Sequence, residues 1–193
     1  MISLRAVTKR FGDRTVLLEL DLELAAGAVT ALMGSNGSGK TTVGRLLLGL
    51  LAPDGGSLHG LSVRRAAVFQ EDRLFDHLTA ADNVRLALPR GNRVDVAEHL
   101  RRVGLSGDSL RTPVRDLSGG QRRRVAIVRA MAADAELLVL DEPFTGLDTE
   151  AKGQVMEYVR AGARGTTLLI THDAAEAAWF GADPVRLPGP LAS

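Results

Sequence analysis

The stretch that decides the fold is a glycine-rich loop, Gly34-Ser35-Asn36-Gly37-Ser38-Gly39-Lys40-Thr41, followed by Thr42. A mostly apolar run at 28–33 precedes it, and residues 41–48 continue as a helix. In this context the glycines let backbone N–H groups curl around phosphate oxygens, and the helix adds its positive end. The loop therefore predicts a nucleotide triphosphate site, with Lys40 at the β- and γ-phosphates and Thr41 at Mg²⁺.

A second apolar run, at 137–140, leads into two acidic residues, Asp141 and Glu142. Four consecutive apolar residues suit a strand that is covered on both faces. The carboxylates then emerge at the carboxyl end of that strand, where open α/β sheets bind ligands. We expect Asp141 to hold Mg²⁺ through water and Glu142 to act as general base or to orient the attacking water.

Two further polar residues, Gln70 and His172, each end an apolar strand-like run. Both side chains are therefore expected on the same rim of the sheet. Gln70 is predicted to touch Mg²⁺ or the lytic water, and His172 to contact the γ-phosphate. The remaining histidines are assigned to solvated or packing roles: His59, His77 and His99.

Another motif, Leu117-Ser118-Gly119-Gly120-Gln121, opens a helix. Ser118 is a good N-cap, and the two glycines expose backbone N–H groups. The chain thus has a second anion-binding helix end, which one triphosphate in the same molecule cannot obviously use. The following Arg122-Arg123-Arg124 is interpreted as a solvated face without a separate role.

Elsewhere the pattern predicts β structure over residues 2–24, a turn cluster at 53–57, and a largely helical segment at 71–116 in which Thr79 and Asp82 form a capping box. The tail at 184–193 is expected to be a short strand with a frayed end. Phe11 precedes a glycine, and two roles stay open for it, stacking on adenine or packing in the core.

The composition argues against nucleic-acid binding, cysteine chemistry and membrane-spanning segments. Lys plus Arg total 24 against 23 for Asp plus Glu, so no direct nucleic-acid partner is expected. The absence of cysteine excludes thiolate and disulfide chemistry. No run approaches the ~18 apolar residues that cross a bilayer, so the chain is expected to be soluble.

Taken together, the motifs resemble those of the nucleotide-binding subunits of ABC transporters. The resemblance runs from Phe11 to Asp173 and assigns the Walker A loop (34–41), the Q-loop (Gln70), the signature (117–121), Walker B (137–142), a D-loop (145–148) and the H-loop (His172). It implies an α/β P-loop NTPase with a RecA-like core, a small antiparallel β region and an inserted helical subdomain. Within one domain spanning 1–193, the core and β region are expected at 1–70 and 125–193, and the helical subdomain at 71–124.

The family resemblance also implies function. ATP with Mg²⁺ would lie between one subunit's Walker A loop and the signature of a second ABC ATPase subunit, where Ser118, Gly119, Gly120 and Gln121 meet the partner's γ-phosphate. Other implied partners are a membrane permease and a solute-binding protein, with the chain peripheral on the cytoplasmic face. Residues 69–74 are similar to the Q-loop region of importers for nitrate and sulfonates. Residues 71–90 are expected to form the groove that binds the permease.

Two alternatives remain open on the sequence. One is a non-transport ABC ATPase that acts as an ATP-gated clamp in translation or DNA repair. The other is a phosphate-loop kinase of small metabolites, which leaves the signature and the acidic pair unexplained. The ATPase that powers a separate permease accounts for every motif.

Overall fold

A computed structural model describes residues 1–92 and 94–189. The chain divides into two compact units. The first comprises Met1–Ala67, Glu136–Glu142 and Arg164–Ser193, and the second comprises Val68–Ala135 and Pro143–Ala163. The end of the tail, predicted to fray, lies outside the described residues. The sequence-based boundaries at 70/71 and 124/125 stay a prediction.

The first unit opens with an antiparallel sheet in the order β2-β1-β4. Its strands are β1 (Ile2–Phe11), β2 (Arg14–Leu24) and β4 (Gly55–His59). Alternating leucines of β2 face the core, and Leu22 pairs with Leu4 of β1. The prediction of a turn cluster at 53–57 was wrong in its second half, because β4 begins at Gly55 and pairs with β1. Gly56 permits this pairing, since a Cβ there would lie 2.3 Å from the carbonyl oxygen of Ala6.

The second sheet has five strands in the order β5-β6-β7-β3-β8. Its strands are β3 (Val29–Met33), β5 (Arg65–Val68), β6 (Leu137–Asp141), β7 (Thr166–Ile170) and β8 (Pro184–Arg186). Strand β3 is parallel to both β7 and β8, and β6 is parallel to β7. All residues of β6 and β7 are buried, as expected of parallel strands that are covered on both faces. The carboxyl ends of β3, β6 and β7 consequently share one edge of the sheet.

Among its described residues, the first unit has two helices, α1 (Lys40–Leu47) and α6 (Ala174–Trp179). Its apolar core joins α1 to both sheets through Leu4, Leu24, Leu46 and Leu168. Gly44 lets α1 pack closely on the sheet, because a Cβ there would lie only 3.1 and 3.3 Å from methyl groups of Val139 and Ile170. The phosphate loop is therefore anchored on both sides by buried elements.

The second unit is helical, and the part of it that the structure describes has four α-helices: α2 (Ala80–Arg85), α3 (Val96–Arg102), α4 (Gly119–Ala132) and α5 (Thr149–Gly162). Two short 3₁₀ helices, Gly107–Leu110 and Val114–Asp116, precede α4. The predicted capping residue Thr79 does accept a hydrogen bond from the backbone of Asp82. Buried Val125, Ile127 and Val128 make α4 the centre of this unit.

The predicted α/β fold class, with an antiparallel and a parallel sheet, is confirmed. Within 1–92 and 94–189, no helix is both long enough and apolar enough to span a membrane.

Candidate active site

The phosphate loop, residues 34–39, connects the end of β3 to the start of α1. Gly39 is the N-cap of α1 with φ +97°, and no side chain caps the helix there. A Cβ at Gly39 would lie 2.7 Å from Cδ2 of Leu17, so this position requires glycine for both conformation and space. The first N–H groups of α1 are thus available to an anion.

Lys40 and Ser38 present polar groups at the loop. Lys40 is 9% exposed, and its Nζ donates to the carbonyl oxygens of Gly34 and Ser35 at 2.7 and 2.9 Å. An ammonium has three donors, so one remains beyond these two bonds. The buried Ser38 hydroxyl has no hydrogen-bond partner among the described residues. Buried polar groups are nearly always satisfied, so this hydroxyl fits a bound phosphate oxygen.

The Thr41 hydroxyl donates to Oδ2 of Asp141 at 2.8 Å. Asp141 ends β6 and is 4% exposed. A hydroxyl and a carboxylate brought together across the sheet edge form the hard oxygen donor set that suits Mg²⁺. The two residues are one hundred positions apart, and the parallel sheet places them in contact.

Glu142 and His172 form the second polar pair of this edge. Oε2 of Glu142 lies 2.8 Å from Nδ1 of His172. The Glu142 side chain is 16% exposed and that of His172 is 72% exposed, so the histidine reaches into solvent while the carboxylate is sheltered. The hydrogen bond from Glu142, followed by its negative charge, raises the pKa of His172 above its ordinary value. Glu142 also has φ +49°, a strained conformation of the kind that clusters at functional sites.

Two buried residues hold the turn that carries His172. Thr171 is fully buried, and its hydroxyl donates to Oε2 of Glu176 at 2.5 Å. The Thr171 hydroxyl oxygen in turn accepts a hydrogen bond from the backbone N–H of Asp173 at 3.0 Å. Sequence reasoning missed Glu176. The only signal for it was that a carboxylate stands four residues after His172, in a short helical stretch.

The signature residues lie in the second unit. Ser118 caps α4: its hydroxyl accepts from the backbone of Gln121 at 3.2 Å, and the Gln121 side chain accepts from the backbone of Ser118 at 2.8 Å. Gly119 follows as the first residue of α4 and is exposed.

Two predicted residues remain without a contact that tests their role. Gln70 is exposed and follows β5 by two residues. Phe11 ends β1, is 46% exposed and has the Lys9 ammonium 5.6 Å from its ring centroid. The roles assigned to the individual site residues, these two included, therefore stay predictions.

The interpretation of Arg122-Arg123-Arg124 as a solvated face was wrong for Arg123, which is 5% exposed. Its guanidinium donates to the carbonyl oxygens of Phe69 and, at 2.9 Å, of Pro143. It also donates to Oδ1 of Asp72 at 3.2 Å. A helix turns by about 100° per residue, so three consecutive arginines face three directions. Only packing decides which of them points inward.

The fold and the site together define an α/β protein with a phosphate loop at the start of α1. It also carries the signature motif, residues 117–121, at the start of α4. The ABC transporter family profile matches residues 17–145, and the chain belongs to this family.

Three relatives illustrate the similarity. The chain is 43% identical to the aliphatic sulfonates import ATP-binding protein SsuB of Ralstonia nicotianae, over 88% of this chain and 63% of that protein. It is 41% identical to the sulfate/thiosulfate import ATP-binding protein CysA of Mycobacterium bovis, over 88% of this chain and 54% of that protein. It is 43% identical to SsuB 3 of Paraburkholderia xenovorans, over 91% and 72%. The chain therefore spans about half to three quarters of the length of these relatives.

Among solved structures, the chain is similar to the ATP-binding cassette MJ0796, seen as a dimer in a post-hydrolysis state bound to ADP and Pi. The TM-score is 0.85 at 27% sequence identity, covering 97% of this chain and 94% of that one.

Proposed function

We propose that this chain binds and hydrolyses ATP as the subunit that drives transport of a small solute through a separate membrane permease. The observation that carries the proposal is the hydrogen bond between Glu142 and His172, at the carboxyl ends of the neighbouring strands β6 and β7. A sheltered carboxylate beside an imidazole is suited to orient and deprotonate a water molecule. The names of the relatives, import ATP-binding proteins, support the transport role.

The phosphates of ATP are proposed to lie in the loop 34–39. There the N–H groups of α1 and the Lys40 ammonium face the negative charge, and the Ser38 hydroxyl gains the partner it otherwise lacks. Thr41 and Asp141 would hold Mg²⁺, with Gln70 as a further predicted ligand. When bound, the metal supplies positive charge that neutralises the phosphate oxygens.

Glu142 is proposed to accept a proton from the attacking water. His172 holds this carboxylate in place through Nδ1, and its other ring nitrogen remains available for the γ-phosphate. Because its pKa is raised, His172 is more often protonated near neutral pH, and both of its nitrogens then donate.

Hydrolysis is proposed to require a second ABC ATPase subunit. The exposed start of α4 offers backbone N–H groups and the Ser118 hydroxyl to the γ-phosphate held by the partner's loop. The dimeric, ADP-bound state of the similar cassette MJ0796 supports this arrangement.

The permease is proposed to dock on residues 71–90 of the second unit. Two large apolar side chains in this region are exposed, Phe75 at 51% and Leu86 at 60%, and each offers apolar surface that a partner could cover. The chain would thereby sit on the cytoplasmic face of the membrane, and a solute-binding protein would deliver the cargo. Sulfonate or a related small anion is the proposed class of cargo, on the similarity to the SsuB proteins.

Replacing Glu142 by Gln tests the catalytic assignment. The variant should bind a fluorescent ATP analogue as the wild type does, while steady-state hydrolysis falls by about 100-fold or more, because the general base is lost. Glu136→Gln, at the residue that directly precedes β6, is the matched control and should hydrolyse ATP normally. Wild-type turnover in Glu142→Gln would refute the assignment of Glu142 as general base. Salt-sensitive binding of RNA or DNA by the wild-type protein would instead favour the alternative function, an ATP-gated clamp.

A further inference from the structure

Residues 69–73 connect β5 to the helical part of the second unit without belonging to a strand or helix. The segment turns tightly: Arg73 has φ +49°, and its guanidinium lies 3.9 Å from the centroid of the Phe69 ring. Backbone carbonyl groups in such a segment must find donors outside regular secondary structure.

Arg123 of α4 supplies several of these donors. Its Nη1 donates to the carbonyl oxygens of Phe69 and of Gln70, the latter at 3.4 Å, and to the Asp72 carboxylate at 3.2 Å. Its Nε donates to the carbonyl oxygen of Pro143, the residue that directly follows Glu142 in the chain. One buried guanidinium therefore joins α4 to the backbone on both sides of Gln70.

Arg129, further along the same helix, continues the arrangement. Its two Nη atoms donate to the carbonyl oxygens of Arg73 and Asp72 at 2.7 and 3.0 Å. Two arginines of α4 thus bind four carbonyl groups of residues 69–73, and the same helix begins with the signature residues.

We propose that Arg123 is a positioning residue that fixes the backbone of Gln70 to the signature helix, so that the Gln70 side chain is held in one place during ATP hydrolysis. This inference rests on the proposed function and on the predicted role of Gln70. The planar guanidinium suits the task because its donors point in fixed, different directions and it stays charged when buried. An ammonium at the same position keeps the charge opposite Asp72 but cannot span Phe69 and Pro143 together.

Hydrogen exchange of the nucleotide-free protein tests the backbone contact without ATP. In Arg123→Met, the amides of residues 69–74 should exchange at least about 10-fold faster than in the wild type, since a local opening becomes easier. The matched control is Arg124→Met, because Arg124 binds the carbonyl oxygens of Val103 and Gly104 instead. That control should leave exchange at 69–74 unchanged.

Steady-state kinetics then test the role in hydrolysis. Arg123→Met should lower kcat by about 10-fold or more while KM for ATP changes by less than about threefold, as expected when positioning rather than binding is lost. Adding Gln70→Ala to Arg123→Met should cause no further loss beyond that of Gln70→Ala alone. Arg123→Lys, which keeps a buried charge for Asp72, should show an intermediate kcat and provides a folded variant if the methionine destabilises the chain.

Unchanged exchange at 69–74 in both Arg123 variants would overturn the proposal. The proposal would also be overturned if the fold-loss of kcat in the Gln70 and Arg123 double variant equalled the product of the two single-variant losses. Arg123 would then act independently of Gln70. A wild-type chain without ATPase activity, tested with its permease present, would instead refute the proposed function and with it the kinetic role. The exchange result would still decide whether Arg123 fixes the segment.

Discussion

The two helix N-termini that carry the glycine motifs are built in opposite ways. At α1 the N-cap is Gly39, no side chain closes the helix end, and the adjacent Lys40 and Ser38 are buried. At α4 the N-cap is Ser118, whose hydroxyl and partner Gln121 form a closed capping box on an exposed surface. The first end leaves its N–H groups open to a ligand, whereas the second carries its own side-chain cap.

This difference is consistent with the proposal that the two motifs bind phosphate in different ways. A buried, uncapped helix end with unsatisfied donors is costly unless a ligand completes it. An exposed and capped end costs little when empty, which fits the proposal that a second subunit supplies the phosphate there. The following experiments test this contrast.

The largest effect is expected from Lys40→Met. Charge-assisted hydrogen bonds are worth about 1.5–3 kcal/mol each, so the affinity for ATP should fall by about 100-fold. Titration with a fluorescent ATP analogue measures it, and Lys152→Met in α5 is the control for loss of a lysine. Tight ATP binding by Lys40→Met would mean that the loop is not the phosphate site.

Replacing a glycine by alanine should change the stability of the protein differently at the two helix ends. Gly39→Ala places a Cβ 2.7 Å from Leu17 at a positive φ, which should lower the free energy of unfolding by about 1–3 kcal/mol. Gly119→Ala meets nothing closer than 3.9 Å on Arg122, so stability should hold or rise slightly. Chemical denaturation measures both, and equal losses would contradict the contrast.

Ser118→Ala should cost about 1 kcal/mol of stability, because the cap of α4 is lost. ATP binding to the monomer should be unchanged, while ATP-dependent dimerisation of the Glu142→Gln background weakens in sedimentation experiments. Ser106→Ala is the control, since Ser106 makes no side-chain cap bond to the 3₁₀ helix that follows. Reduced monomer affinity in Ser118→Ala would place the signature in the same subunit's site.

The smallest effect concerns pH. The pKa of His172 is raised in the folded state, so its bond to Glu142 stabilises the fold fully below the unfolded pKa of about 6.5 and is lost as pH rises through the folded pKa. Because the imidazole is 72% exposed, solvent screening limits the contribution to about 0.5 kcal/mol. His172→Ala should therefore cost more stability at about pH 5.5 than at about pH 9, as measured by urea unfolding. Equal losses of stability at the two pH values would argue against the ion pair. The control is His77→Ala, because the His77 ring lies edge-on to Phe75.

The elements around the phosphate loop were predictable because their local signals are strong. The apolar runs that became β3 and β6 were identified within one residue at each end, since buried parallel strands are almost uniformly apolar. The start of β4 was not, because Gly55, Gly56 and Ser57 have turn propensities that the long-range pairing with β1 overrides. Arg123 was missed for a similar reason, since its partners at 69–72 lie about fifty residues away.

The sequence by itself determined the class of fold, the phosphate loop, the capped signature helix and the acidic residues at the end of β6. These features depend on residue type and short spacing, which local backbone geometry translates directly into structure. The tertiary structure decided which oxygen meets which donor: Thr41 with Asp141, Glu142 with His172, and Thr171 with Glu176. It also decided that Arg123 is buried, because a contact between distant segments depends on how the sheet and helices pack and not on any pattern along the chain.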